Sequence, residues 1–332
     1  MKIMEWIFWR IQMSRLINDM ICRGLQKIIY AKVYKEHQPN EWKPWKERDT
    51  IQMKNGMILH NDVCYGNNYP NSYADIWLPD NTDKKYPVVI YLHGGGFIFG
   101  NKSTGDPLSA GEEKTGKLMK IIEAGYALVN ADYALAPQYR FPSQIRQLDE
   151  LFRFLIENAD QYHLDMNRVC LSGGSAGAIM TEIYGTCVCS PEYAEMLKVK
   201  PVMTKENLKV LAIDEAALDA SVFDSKMYAM LGCWTAAKRN RPEDTAIINA
   251  KTYIRESYIP SWINASNEGG ENGFFIKEGR DLKKVLDQIH VPNDLVYFPE
   301  ENLPHGYMDN VGKEPHADEA FNRMMTFIEK YI

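Results

Sequence analysis

The chain has 332 residues, 45% apolar and 25% charged, an ordinary globular composition able to bury a sizeable core. A net charge of −6 without a dominant basic run argues against a nucleic-acid binder. Six scattered cysteines (Cys22, Cys64, Cys170, Cys187, Cys189 and Cys233) form no CxxC pair. They argue against a zinc site and predict buried free thiols in a reducing, cytoplasmic setting, with disulfides the alternative.

Residues 1–47 read as an N-terminal helical cap region. Ile3, Ile7, Ile11, Ile17, Ile21 and Ile28 suit one apolar helix stripe, while Glu5, Arg10, Arg15, Asp19 and Arg23 interrupt any signal-peptide core or membrane span. Such a helix can lie on a membrane surface. Packing on its own protein, as part of a lid, is the preferred reading. A linker around residues 42–47 leads into a catalytic domain over residues 48–332. Residues 51–59 and 72–78 predict antiparallel strands across a turn at 66–71. From Val88 onward, apolar strands (88–92, 127–129, 168–172, 210–213, 261–265, 295–298) alternate with amphipathic helices. One of those helices carries Leu148, Leu151, Phe152, Leu155 and Ile156, and the last spans 317–331. The pattern predicts an α/β fold with a mostly parallel sheet covered by helices on both faces. Residues 219–258 break the alternation and predict a cap insertion.

Two motifs sit at carboxyl ends of predicted strands, where such sheets bind ligands. Gly173-Gly174-Ser175-Ala176-Gly177 follows the 168–172 strand and precedes a small-residue helix, 178–183. This is the G-x-S-x-G turn that projects a serine hydroxyl as a nucleophile. Upstream, His93-Gly94-Gly95-Gly96-Phe97 offers a bare backbone; the amides of Gly94, Gly95 and Ala176 are candidates for an oxyanion hole. No Gly-Lys-Ser/Thr follows, so a phosphate loop is disfavoured. Seven histidines compete as base: His37, His60, His93, His163, His290, His305 and His316. The chain order serine, acid, histidine leaves the last three. His305, in the loop after the last predicted strand, fits best.

These motifs, with Asp132-Tyr133-Ala134-Leu135-Ala136-Pro137, Asn167-Arg168-Val169 and His305-Gly306, resemble those of the hormone-sensitive-lipase-like family of α/β-hydrolases, from about Tyr86 to the C-terminus. The resemblance implies a serine hydrolase of short to medium acyl esters under a helical cap, with no cofactor and no metal, and Asp132 bracing the HGGG loop. Gly174 and Ala178 depart from the family's usual Asp and Gly. The larger departure is the acid. The family places an Asp after the penultimate strand, where residues 263–275 contain none. Glu271 is taken as the acid there, with Glu268 the alternative.

The expected function is therefore carboxylic-ester hydrolysis of a small-molecule substrate through an acyl-enzyme. A catalytically impaired binding protein and a carbohydrate acetyl- or feruloyl-esterase are the alternatives.

Overall fold

A computed structural model describes residues 15–32, 38–42, 50–52, 55–80, 84–102, 116–237 and 243–332. Ile3, Ile7, Ile11, His37 and most of the expected linker lie outside them. Nine strands form one sheet: β1 (Ile51–Gln52), β2 (Ile58–Cys64), β3 (Tyr73–Leu78), β4 (Tyr86–Leu92), β5 (Ala127–Ala131), β6 (Leu164–Gly174), β7 (Leu208–Asp214), β8 (Ser261–Asn264) and β9 (Asn293–Val296). Their order is β1-β2-β3-β5-β4-β6-β7-β8-β9. β1, β2 and β3 are antiparallel, β3 runs antiparallel to β5, and the remaining pairings are parallel. The α/β-hydrolase architecture expected from the sequence is thus present. Residues 51–59 were expected as one strand but divide between β1 and β2. The cause is Asn55-Gly56, where Gly56 sits at a φ of 93° that favours glycine and breaks the strand.

Helices cover both faces, so the central strands are apolar on both sides. On β4, Val88, Ile90 and Leu92 join one core, with α3 (Ser143–Glu157), α4 (Ala176–Cys189) and α8 (Phe274–Gln288). Val89 and Tyr91 join the other, with α2 (Gly116–Glu123) and α9 (Pro315–Tyr331). α5 (Pro191–Leu197) is a short helix capped by Ser190. Between β7 and β8 the chain forms α6 (Ser225–Thr235), capped by Asp224, then α7 (Glu243–Ala246), flanked by 3-10 turns at Ala220–Val222 and Ala250–Tyr253.

The N-terminal helix α1 (Arg15–Lys32) packs on α6. Its buried Gln26 donates to the carbonyls of Ile98 (2.7 Å) and Ala136 (2.6 Å). Arg140 pairs with Asp19. Cys22 and Cys233 join α1 to α6 through a disulfide, with Cα atoms 6.5 Å apart. That corrects the expectation of free thiols for these two; Cys64, Cys170, Cys187 and Cys189 are free. Sequence spacing gave no sign of the bond because 211 residues separate the partners. No helix among the described residues is long and apolar enough to cross a membrane.

Register sets the level of the site. Leu92 pairs with Gly173, Gly174 with Asp214, Asp214 with Asn264, and Asn264 with Val296. The loops leaving β4, β6, β7, β8 and β9 therefore emerge along one edge.

Candidate active site

Ser175 occupies the turn between β6 and α4 with φ 55° and ψ −114°. Its neighbours must lack side chains. A Cβ at Gly173 would lie 2.4 Å from the backbone of Gly177, and one at Gly177 would lie 2.0 Å from the Leu92 carbonyl. The Ser175 N–H donates to the Asp214 carbonyl at 2.8 Å, tying the turn to the end of β7.

The imidazole of His305 meets Ser175 as the sequence predicts, with Nε2 3.0 Å from Oγ. Its other nitrogen, Nδ1, lies 2.9 Å from Oε2 of Glu215. The same oxygen accepts the Gly306 N–H at 2.6 Å, so one carboxylate oxygen fixes both ring and loop. Phe275 stacks on the imidazole at 4.4 Å. Burial pulls the His305 pKa down, but the hydrogen bond and charge of Glu215, with Asp214 and Glu268 farther off, outweigh it and raise the pKa above its ordinary value.

The carboxylate on His305 is thus neither Glu271 nor Glu268, which corrects the expected acid. Glu271 lies exposed in the 3-10 turn Gly270–Asn272, where its carbonyl accepts from Arg280. Glu268 is exposed and lines the same cavity as Ser175. Glu215, 1% exposed, leaves β7 directly, and its N–H donates to the Asn264 carbonyl at 3.0 Å. The loop after β8 has a different task. Its Asn267 side chain donates to the Phe298 carbonyl and accepts from the Leu303 N–H, bracing the segment that carries His305. One signal could have found Glu215. Asp214-Glu215 places two carboxylates at the carboxyl end of the strand beside the nucleophile strand.

Asp214 lies beneath this relay. Its Oδ1 accepts from Asn264 Nδ2 at 2.8 Å, and Lys117 Nζ stands 3.5 Å from Oδ2 and 2.7 Å from Asp309. Burial foremost raises Asp214 to about 6, with Lys117 opposing and Glu215 reinforcing the shift.

Gly94, Gly95 and Ala176 all border the cavity above Ser175. A Cβ at Gly94 would come within 3.3 Å of the Ser175 Cβ, so bare backbone approaches the nucleophile there. As the first residue of α4, Ala176 has its N–H outside the helical ladder, at the positive end of the helix dipole. His93 is buried. Its Nδ1 lies 2.7 Å from the Gly94 carbonyl, its ring stacks on Tyr133 at 4.1 Å, and Nε2 is 3.4 Å from Asp132. Asp132 also accepts the Lys102 N–H at 2.6 Å, anchoring the chain beyond the HGGG loop. His60 contacts Thr50 and Tyr162, and His316 pairs with Glu314; His163 and His290 sit at positive φ in turns. No cluster of metal-ligating side chains occurs among the described residues.

The cavity holds about 470 Å³. Phe223, Met227, Met230, Leu231, Trp234 and Phe274 give it an apolar wall, largely from α6. Met230 crosses Gly96, where a Cβ would lie 1.9 Å from the methionine methyl, and Trp234 stacks on Phe97 at 3.9 Å. Lys117, Asp309 and Glu268 supply charged groups to the same lining.

The chain is similar to known esterases in sequence and in fold. The BD-FAE family model matches residues 74–268. Esterase LipI of Mycobacterium tuberculosis is 26% identical over 255 residues, covering 74% of each chain. An acetyl esterase of Salmonella schwarzengrund is 31% identical over 117 residues, a match spanning about a third of each chain. Among solved structures, esterase B of Lactobacillus rhamnosis superposes with a TM-score of 0.70 at 18% identity, over 94% of this chain and 95% of that one. The esterase of Pyrobaculum calidifontis gives 0.64 at 15% identity, over 99% and 97%. Fold, motif order and similarity agree: the chain belongs to the BD-FAE family and is an α/β-hydrolase of the carboxylesterase type.

Proposed function

We propose that the chain hydrolyses small carboxylic esters of short to medium acyl chain through an acyl-enzyme on Ser175. The observation carrying this reading is the relay Glu215–His305–Ser175, spaced 2.9 and 3.0 Å, at the floor of a largely apolar cavity. Ser175 Oγ attacks the ester carbonyl carbon while His305 Nε2 takes its proton. The developing oxyanion is met by the amides of Gly94, Gly95 and Ala176. Collapse expels the alcohol, which takes the proton back from His305. Water, deprotonated by His305, then attacks the acyl carbonyl, releasing the acid and restoring Ser175. Throughout, Glu215 holds Nδ1–H and stabilises the imidazolium. The chemistry calls for no cofactor.

The largely apolar cavity of about 470 Å³ suits an acyl chain of modest length, and α6, against which α1 packs, walls it. A narrower reading, a carbohydrate acetyl- or feruloyl-ester, is favoured by one observation: Lys117, Asp309 and Glu268 give the cavity charged groups able to bind a hydroxylated alcohol. The motive for a binding-only protein was a missing acid, and Glu215 supplies the carboxylate. A cytoplasmic setting requires the Cys22–Cys233 pair to be reduced there.

The test is a fluorophosphonate probe on the native chain, beside p-nitrophenyl esters of graded length and acetylated or feruloylated sugars. The expected result is one adduct, on Ser175, absent from Ser175→Ala, with turnover highest on short to medium acyl chains. An unlabelled native protein that turns over none of these esters overturns the proposal.

A further inference from the structure

We infer that the outer face of α1 is a docking surface for anionic lipid, on which the helix lies flat. The helix is fixed in rotation by its inner face, where Cys22, Gln26 and Tyr30 are buried against the body of the protein. At 100° per residue, Met20, Gly24, Leu25 and Ile28 must then point outward. Met20, Leu25 and Ile28 are 72%, 46% and 55% exposed. Among the described residues only five large apolar side chains are exposed, and these are three of them. A surface helix in water normally carries polar residues opposite its buried stripe. This one carries Met20, Leu25 and Ile28 there, among the exposed Arg23, Lys27 and Lys32.

Charge identifies the occupant. Arg23, Lys27 and Lys32 are exposed on the same helix and make no ion pair among the described residues. Residues 1–32 contain six basic and two acidic side chains, in a chain whose net charge is −6. Positive charge is thus concentrated on this segment and opposed elsewhere, as an anionic surface requires. Exposed apolar residues interspersed with Arg and Lys suit a helix lying in the plane of a lipid surface, whose long basic side chains reach up to headgroups. α6 packs against α1 and walls the cavity, so docking would bring the cap to the lipid surface.

The experiment is co-sedimentation of the full chain with phosphatidylcholine vesicles and with vesicles containing phosphatidylglycerol. The chain should sediment with the second only, and less so as salt rises. Met20→Ser/Leu25→Ser/Ile28→Ser should reduce the bound fraction roughly tenfold or more with an unchanged melting curve. Arg23→Glu/Lys27→Glu, which leaves the apolar stripe intact, should do the same. Failure to sediment with either vesicle overturns the inference, as does unaltered binding by both variants. A dimer in solution that the triple substitution converts to monomer assigns the face to a second copy and equally overturns it. None of these outcomes depends on esterase activity.

Discussion

Glu215 stands at the end of β7 where the proposed mechanism calls for an acid, and its setting places it against His305. It sits at φ 65°, a left-handed conformation costing a non-glycine residue about 1–2 kcal/mol. Leaving the strand in this way, it delivers one carboxylate oxygen to both His305 Nδ1 and the Gly306 N–H. Glu215→Gln preserves the shape and removes the charge. It should lower kcat/KM on a p-nitrophenyl ester by about three to four orders of magnitude while leaving the circular dichroism spectrum intact. Glu271→Gln should leave kcat/KM within about twofold, since truncations far from the relay remove no transition-state contact. The base works when His305 is neutral, and Glu215 raises its pKa. The native rate should therefore rise with pH through an apparent pKa above 6.5, and in Glu215→Gln that limb should move to lower pH as its plateau falls. Loss of activity in Glu271→Gln equal to that in Glu215→Gln would refute this assignment of the acid.

Between elements, a buried charge network couples α4 and α8 to the segment joining β7 and β8. Glu278 on α8 accepts from the backbone N–H groups of Leu218 and Asp219 at 2.9 and 3.1 Å, and from Lys251 Nζ at 2.6 Å. Glu182, fully buried on α4, has its pKa raised foremost by burial and then by Glu278, a shift that favours its protonated form. Lys251→Met strands the charge of Glu278 and should cost about 3–5 kcal/mol in urea unfolding. If Glu182 is held in its protonated form, Glu182→Gln should cost less than about 1 kcal/mol; a loss equal to that of Lys251→Met would show that Glu182 is ionised. On α6, Met230→Ala should open the space above Gly96 and shift the preferred acyl chain upward by several carbons, seen as a rising kcat/KM ratio of octanoate to acetate esters. How much of this was legible varied by element. β4 to β8 announce themselves as apolar runs because both faces are covered, whereas β9, an edge strand with only Val296 buried, lies at 293–296 and not at the expected 295–298; Ser175 and His305 were singled out by motif and order. The hairpin of β1 and β2 hid inside one apolar stretch. Glu215 hid because the resemblance directs attention past β8, where Asn267 braces the histidine loop instead. Lys117, Asp309 and Met230 come to the cavity from distant segments, and nothing local marks them.

At the scale of the molecule, a covalent tie to α6 and the hydrogen bonds of Gln26 connect the N-terminal helix to the surroundings of the nucleophile. Cys22–Cys233 joins α1 to α6, next to Trp234, which stacks on Phe97 of the HGGGF loop. Gln26 of the same helix holds the Ile98 and Ala136 carbonyls, the first of which lies two residues beyond Gly96. The disulfide closes a loop of more than two hundred residues and restricts the unfolded chain accordingly. Cys233→Ser should reduce stability by about 2–4 kcal/mol, visible as a fall of several degrees in Tm. Its effect should also be local. With the tie gone, α1 and α6 can separate from the oxyanion loop below the global transition, as elements with few anchors do. On heating, esterase activity of Cys233→Ser should therefore vanish several degrees before far-ultraviolet circular dichroism reports unfolding, whereas in the oxidised native chain the two should coincide. A reductant such as dithiothreitol should convert the native behaviour into that of the variant, because Cys64, Cys170, Cys187 and Cys189 are free and have no bond to lose. Coincident loss of activity and structure in Cys233→Ser would show that the helix stays docked without its disulfide, and that Gln26 and the apolar contacts of α1 suffice to hold the cap over Ser175.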